Sequence, residues 1–185
     1  LPCGHSANGK AAETYQRASI LLAKNGIAVL CYDPIAQGER IQWISPSPSV
    51  AKSNTASHTV IGLSSIPLGL NTARYRIWDG IRALDYLASR KEIDPKRLGC
   101  TGNSGGGTLT SYLMALDERI VCAAPSCYLT TFDRLINTIG PQDAEQNIYG
   151  QVGFGMDHAD YVLMRAPQPT LMCVATHDFF DITGG

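Results

Sequence analysis

Gly102-Asn103-Ser104-Gly105-Gly106 fits the pattern G-x-S-x-G. A short apolar run over 97–101 precedes it and a helical pattern over 107–116 follows. Strand, tight turn and helix are the setting of a nucleophile elbow. The turn is sharp enough to force the serine into a strained backbone conformation. Side chains two residues before and after the serine would clash, so both places need glycine. The serine hydroxyl then stands at the carboxyl end of a strand, beside the Gly105 N–H and the start of a helix. The competing reading is a phosphate cradle, because helix N-termini bind anions. A phosphate loop needs G-x-x-x-x-G-K-[ST], and no lysine follows Gly107. The dinucleotide pattern G-x-G-x-x-G is also missing.

The flanking patterns place this turn in an alternating α/β chain. Residues 11–24 read as a helix with Ala18, Leu21 and Leu22 on one side, ended by Asn25-Gly26. Residues 27–32 are a continuous apolar run, as a buried parallel strand requires. Residues 33–72 read as a long irregular loop. Residues 73–90 read as a helix with Ile77, Ile81, Leu84 and Leu87, together with Trp78, on its apolar face. A strand over 97–102, a helix over 105–116 and strands over 120–124 and 170–175 complete the pattern. Residues 128–165 read as a mostly helical, cap-like segment. Alternation of this kind predicts an α/β fold with a doubly wound, mostly parallel sheet. Ligands of such sheets bind beyond the carboxyl ends of the strands. The length of 185 residues suits a single domain.

Bulk properties exclude several partners. Net charge is −1, which offers no basic surface for nucleic acid or an anionic membrane. No apolar run approaches the roughly 18 residues of a membrane span. Cys31, Cys100, Cys122 and Cys173 fall in apolar runs and read as buried free thiols. No C-x-x-C pair is present, so the cysteines do not read as a zinc site, and no metal ligand set is assigned.

A serine nucleophile needs a base, an acid to orient it, and donors for the oxyanion. Asp178 and Asp181 both lie just after the last strand-like run, and either could be the acid. Residues 3–9 lead from the start of the chain into the first helix. This loop could supply a second oxyanion N–H, from Ser6 or Ala7. His5, His58, His158 and His177 each read as structural or substrate-facing rather than as the base.

Three stretches carry a family resemblance. Residues 33–40 (Asp-Pro-Ile-Ala-Gln-Gly-Glu-Arg), residues 75–84 and residues 93–99 resemble acetyl xylan esterase-like members of the α/β-hydrolase superfamily. The elbow and Ala166-Pro167-Gln168-Pro169 fit the same pattern. The resemblance implies a carboxylic ester hydrolase acting on a carbohydrate ester, with no cofactor. It implies Ser104 as nucleophile, Asp178 as acid, and Gly105 and Ala7 as oxyanion N–H donors. In this superfamily the triad runs Ser, Asp/Glu, His along the chain. That order implies that the 185 residues are a partial domain lacking its C-terminal histidine segment. The opening Leu-Pro-Cys-Gly-His reads as the tail of a strand, which implies that the first strands are also missing. Ala36 stands where glycine is common, and His5-Ser6 where His-Gly is usual. Arg40 and Trp43 are within sequence reach of a sugar, with an ion pair and a covering ring as their alternative roles. The rival functions are a prolyl-oligopeptidase-type peptidase and an inactive binding scaffold.

Overall fold

A computed structural model describes residues 1–42, 54–178 and 180–183. Its helices are α1 (Glu13–Lys24), α2 (Asn54–Ser65), α3 (Thr72–Ser89), α4 (Gly105–Leu116), α5 (Phe132–Thr138), α6 (Gln151–Phe154) and α7 (His158–Leu163). Its strands are β1 (Leu98–Asn103) and β2 (Ile120–Ser126). The two strands are parallel, with Cys100 opposite Ala123 and Gly102 opposite Pro125. Single parallel bridges extend the array beyond β2, and a separate one joins two segments near the start of the chain. Ala123 bridges Thr170 and Ser126 bridges Cys173, while Pro2 bridges Tyr32.

The runs at 27–32 and 170–175, expected as full strands, are therefore extended segments touching their neighbours at isolated points. Their exposure gives the physical reason. Ile27 is 52% exposed and Leu171 66%, so neither run is enclosed on both faces as a central strand would be.

Helix α4 is the centre of the core. Every residue from Gly105 to Met114 is buried. Leu109, Leu113, Leu98, Ile120 and Leu135 join one apolar cluster, each such side chain contributing about 1.5–3 kcal/mol by leaving water. Tyr112 packs edge-on to Tyr128 and Tyr161, with ring centroids 6.5 and 5.2 Å apart. Helix α3 lies close against α4 because Gly80 has no side chain. A Cβ there would sit 2.5 Å from Leu113 Cδ1.

Two helical faces differ from their sequence reading. In α3 the fully buried stripe is Ala73, Arg76, Gly80 and Leu84, at the i, i+3, i+7, i+11 spacing of one helix face. Ile77, Ile81 and Leu87 are only partly buried. Trp78 is 57% exposed, with the Arg82 guanidinium 4.3 Å from its ring centroid. In α1 only Tyr15 is buried, and Leu21 is exposed.

Helix α2 lies inside the stretch read as loop. Its Thr, Ser and Gly residues have weak helical preference. Burial of Ser57 and His58 against neighbouring segments, rather than propensity, holds it in place. Among the described residues no helix is long and apolar enough to cross a membrane.

Candidate active site

The elbow forms as its sequence requires. Ser104 joins the end of β1 to α4 with φ 56° and ψ −121°. Such a conformation is costly for any residue with a Cβ. Hydrogen bonds over-determine it. The Ser104 N–H donates to Ser126 O at 2.9 Å, and the Thr108 N–H donates to Ser104 O at 2.9 Å. The flanking glycines have no room for side chains. A Cβ on Gly102 would lie 2.5 Å from Gly106 O, and one on Gly106 would strike Pro2 O.

The loop after Pro2 abuts the elbow through Gly4 and His5. A Cβ on Gly4 would lie 3.2 Å from Gly105 N, and one on Gly105 would lie 3.1 Å from His5 Cε1. Ala7, implied as an oxyanion donor, is an exposed turn residue two positions further along. The segment that resembled the family motif holds this loop. Gln37 Nε2 donates to Gly4 O at 2.8 Å. The Asp33 carboxylate accepts from Lys10 N at 2.6 Å and from Lys10 Nζ at 2.9 Å. Ala36, where glycine is common, has φ 67°, so its methyl group is carried in a left-handed conformation. Arg40 takes the ion-pair role, with Nη1 2.5 Å from Asp79 Oδ2. Trp43 lies outside the described residues.

The two candidate acids have different surroundings. Asp181 Oδ1 accepts from Thr183 N at 2.9 Å and Thr183 Oγ1 at 2.6 Å, and these bonds hold its carboxyl below the usual range. Asp181 Oδ2 lies 3.7 Å from Arg134 Nε. Asp178 is half-buried and accepts from the Phe180 N–H at 3.3 Å.

The histidines separate into distinct roles. His158 is fully buried and accepts from the Thr130 N–H at 3.2 Å. Its ring lies 4.5 Å from that of Tyr128, and burial pushes its pKa down to about 4. His177 is exposed. His5 and His58 meet. Their rings lie 5.2 Å apart, and both reach Asp143 Oδ2, from His5 Nε2 at 2.8 Å and from His58 Nδ1 at 2.5 Å. Burial pushes the Asp143 carboxyl up, but the two imidazole hydrogen bonds outweigh it and hold the group down at about 2. Glu145 Oε1 lies 3.2 Å from His5 Nε2, and Arg76 Nη1 touches Glu145 Oε2.

Sequence reading did not find this cluster, since its members lie on segments far apart in the chain. Arg76 falls on the stripe that α3 buries, a facing hidden in the sequence by the stronger apolar signal of Ile77 and Trp78.

The cysteines are all free thiols. Cys122, expected to be buried, is exposed, because its side of β2 meets no covering layer among the described residues.

A profile of the acetyl xylan esterase (AXE1) family matches residues 10–154. The chain belongs to this family. Methylesterase BT1017 is 31% identical, with a TM-score of 0.68, over 97% of this chain and 36% of its own. A Bacteroides fragilis protein described as an acetyl xylan esterase superposes with a TM-score of 0.76 at 16% identity. It covers 93% of this chain and 50% of its own. At that identity the match shows the shared α/β-hydrolase fold alone. A hydrolase of Bacillus subtilis (strain 168), YtaP, is 33% identical over 106 residues, which are 55% of this chain and 34% of its own. The chain thus spans about a third of the length of BT1017 and YtaP.

Proposed function

We propose that this chain carries the nucleophile of a serine carboxylic ester hydrolase whose substrate is a carbohydrate ester. The observation that carries the reading is the strained Ser104 at the β1–α4 elbow. Membership of the acetyl xylan esterase family supports the same chemistry.

In this reading Ser104 Oγ attacks the ester carbonyl carbon and its proton passes to a histidine base. The Gly105 and Ala7 N–H groups stabilise the oxyanion. The sugar hydroxyl departs with the proton, leaving an acyl group on Ser104, and water attacks to release the carboxylic acid. Asp178 orients the base. Its Oδ1 accepts only a long bond, from the Phe180 N–H at 3.3 Å, whereas Asp181 meets Thr183 through Oδ1 and Arg134 through Oδ2.

None of the chain's own histidines takes the base role. His58 and His158 are fully buried, His5 Nε2 is committed to the two carboxylates of Asp143 and Glu145, and His177 directly precedes the proposed acid in the chain. The base belongs to a part of the protein outside these 185 residues, in keeping with the third of the BT1017 length that they span. The finer architecture follows the same reading: a doubly wound sheet of which this chain supplies the elbow strand and its neighbours.

A second reading changes which side of the ester carries the sugar. The 31% identity to a methylesterase supports attack on the methyl ester of an acidic sugar, releasing methanol rather than acetate.

Assaying the intact protein on acetylated xylo-oligosaccharides and on methyl-esterified uronates separates the two. Acetate release supports the first, and methanol release supports the second. Ser104→Ala should lower kcat by on the order of 10⁴ or more in either case. Activity within tenfold of the parent would remove Ser104 from the mechanism.

A further inference from the structure

The four side chains beside the elbow have the composition and the spacing of a metal site. His5 Nε2, His58 Nδ1 and the nearest carboxylate oxygens of Asp143 and Glu145 lie within 4.8 Å of one another. Tetrahedral zinc holds nitrogen and oxygen ligands at about 2.0–2.2 Å, which places ligand atoms about 3.3 Å apart. His5 Nε2 to His58 Nδ1 is 3.4 Å, and His5 Nε2 to Glu145 Oε1 is 3.2 Å. The contacts from the two imidazoles to Asp143 Oδ2, 2.8 and 2.5 Å, are shorter. An ion would need to spread those by less than an ångström.

Charge points the same way. The Asp143 and Glu145 side chains are only 7% and 1% exposed. Arg76, itself fully buried, balances one of the two carboxylates. The second negative charge has no permanent cation beside it. Asp143 Oδ1 and both Glu145 oxygens are buried without a partner of hydrogen-bond geometry. Buried carboxylates in that condition are expensive unless paired or bound to metal.

The surroundings also resemble an outer shell. Ligating histidines commonly donate their second N–H to a carbonyl, and His58 Nε2 lies 3.4 Å from Ile35 O. Arg76 Nη1 donates to Gln37 Oε1 at 2.7 Å and touches Glu145, which fixes that carboxylate's direction. Arg76 Nη1 also lies 3.0 Å from His58 Nε2. With Nε2 accepting from Arg76, the His58 proton sits on Nδ1 and points at Asp143. Binding an ion at Nδ1 requires the other tautomer, with Nε2–H turned to Ile35 O.

We propose that His5, His58, Asp143 and Glu145 bind one divalent transition-metal ion of the zinc class. Two imidazoles and two carboxylates suit zinc. Four protein ligands leave no open position, which is the pattern of a structural site rather than a hydrolytic one. The ion ties three segments together beside the nucleophile: the loop after Pro2, helix α2 and the loop before α6. It acts by fixing that loop against Gly105, and it does not activate water. The proposal is independent of the esterase reading, because its tests do not depend on turnover.

The intact protein, purified without chelator and dialysed, should hold one zinc per chain by elemental analysis. Stripping with dipicolinate should lower the melting temperature, and adding Zn²⁺ alone should restore it. Co²⁺ in place of zinc should give the visible absorption of a tetrahedral site. His58→Gln and Asp143→Asn should each weaken zinc binding by about 100-fold or more, since even outer-shell changes cost 10–100-fold. Far-UV circular dichroism checks that each variant folds, and the stripped and reloaded parent gives the answer should either fail. Zinc below stoichiometry with no thermal response to Zn²⁺ would show a hydrogen-bonded ion network instead. Zinc retained at full affinity in both variants would place the ion elsewhere. Either result overturns the proposal.

Discussion

The elbow and the polar cluster touch each other, yet they are built in opposite ways. The elbow comes from five consecutive residues whose backbone can close in one manner, with Gly102 and Gly106 lacking side chains where Gly106 O and Pro2 O approach. The cluster comes from residues separated by 53, 85 and 138 positions. Only the complete fold brings it together. Local steric rules write the first into a short motif. The second is held by charge and hydrogen bonding in a low-dielectric setting, where each member depends on the others. Chemistry should therefore fail abruptly when the elbow or its acid is altered, and stability should fail when the cluster is altered.

The largest effect distinguishes the two acids. Asp178→Asn should reduce kcat by on the order of 10⁴, because a neutral amide neither orients the base nor stabilises its imidazolium. Asp181→Asn should reduce it by about tenfold or less, through the turn that Thr183 closes. Steady-state kinetics on the two folded variants checks this. A larger loss in Asp181→Asn would reverse the assignment and make the loop after the last extended segment part of a different geometry.

Arg76→Leu tests the other side of the comparison. Removing the guanidinium leaves Glu145 and Asp143 buried without it, which should cost about 3–5 kcal/mol in denaturant unfolding. A cost under about 1 kcal/mol would mean that the cluster is not held by its charges.

His158 gives a pH-dependent control away from both sites. Its pKa is about 4 folded against 6.5 in the open chain. Between those values the unfolded state binds a proton that the folded state refuses. Stability should therefore fall as pH drops from about 6.5 to about 4, by about 3 kcal/mol. In His158→Asn, which keeps an acceptor for the Thr130 N–H, that slope should flatten. An unchanged slope would show that His158 is not its source.

The contrast also explains what sequence could reveal. Helix α4 and β1 were legible because a glycine-flanked serine between an apolar run and a helical pattern has few alternatives. The helix at Thr72–Ser89 was legible in extent but not in facing. Ile77 and Trp78 carry the stronger apolar signal, yet Gly80 is what allows close approach to Leu113, and that rotates Arg76 inward. Helix α2 was illegible because its own residues prefer other conformations and its burial is tertiary. The runs at 27–32 and 170–175 read as strands from hydrophobicity alone, which cannot report whether a partner lies on each side. Cys122 was misplaced for the same reason.

The central claim is that Ser104 is the covalent nucleophile. Treating the intact protein with a fluorophosphonate and mapping the adduct by peptide mass spectrometry tests it directly. The account predicts a single adduct on Ser104, lost in Ser104→Ala while the variant remains folded. An adduct on another serine, or full activity with Ser104 unlabelled, would contradict it.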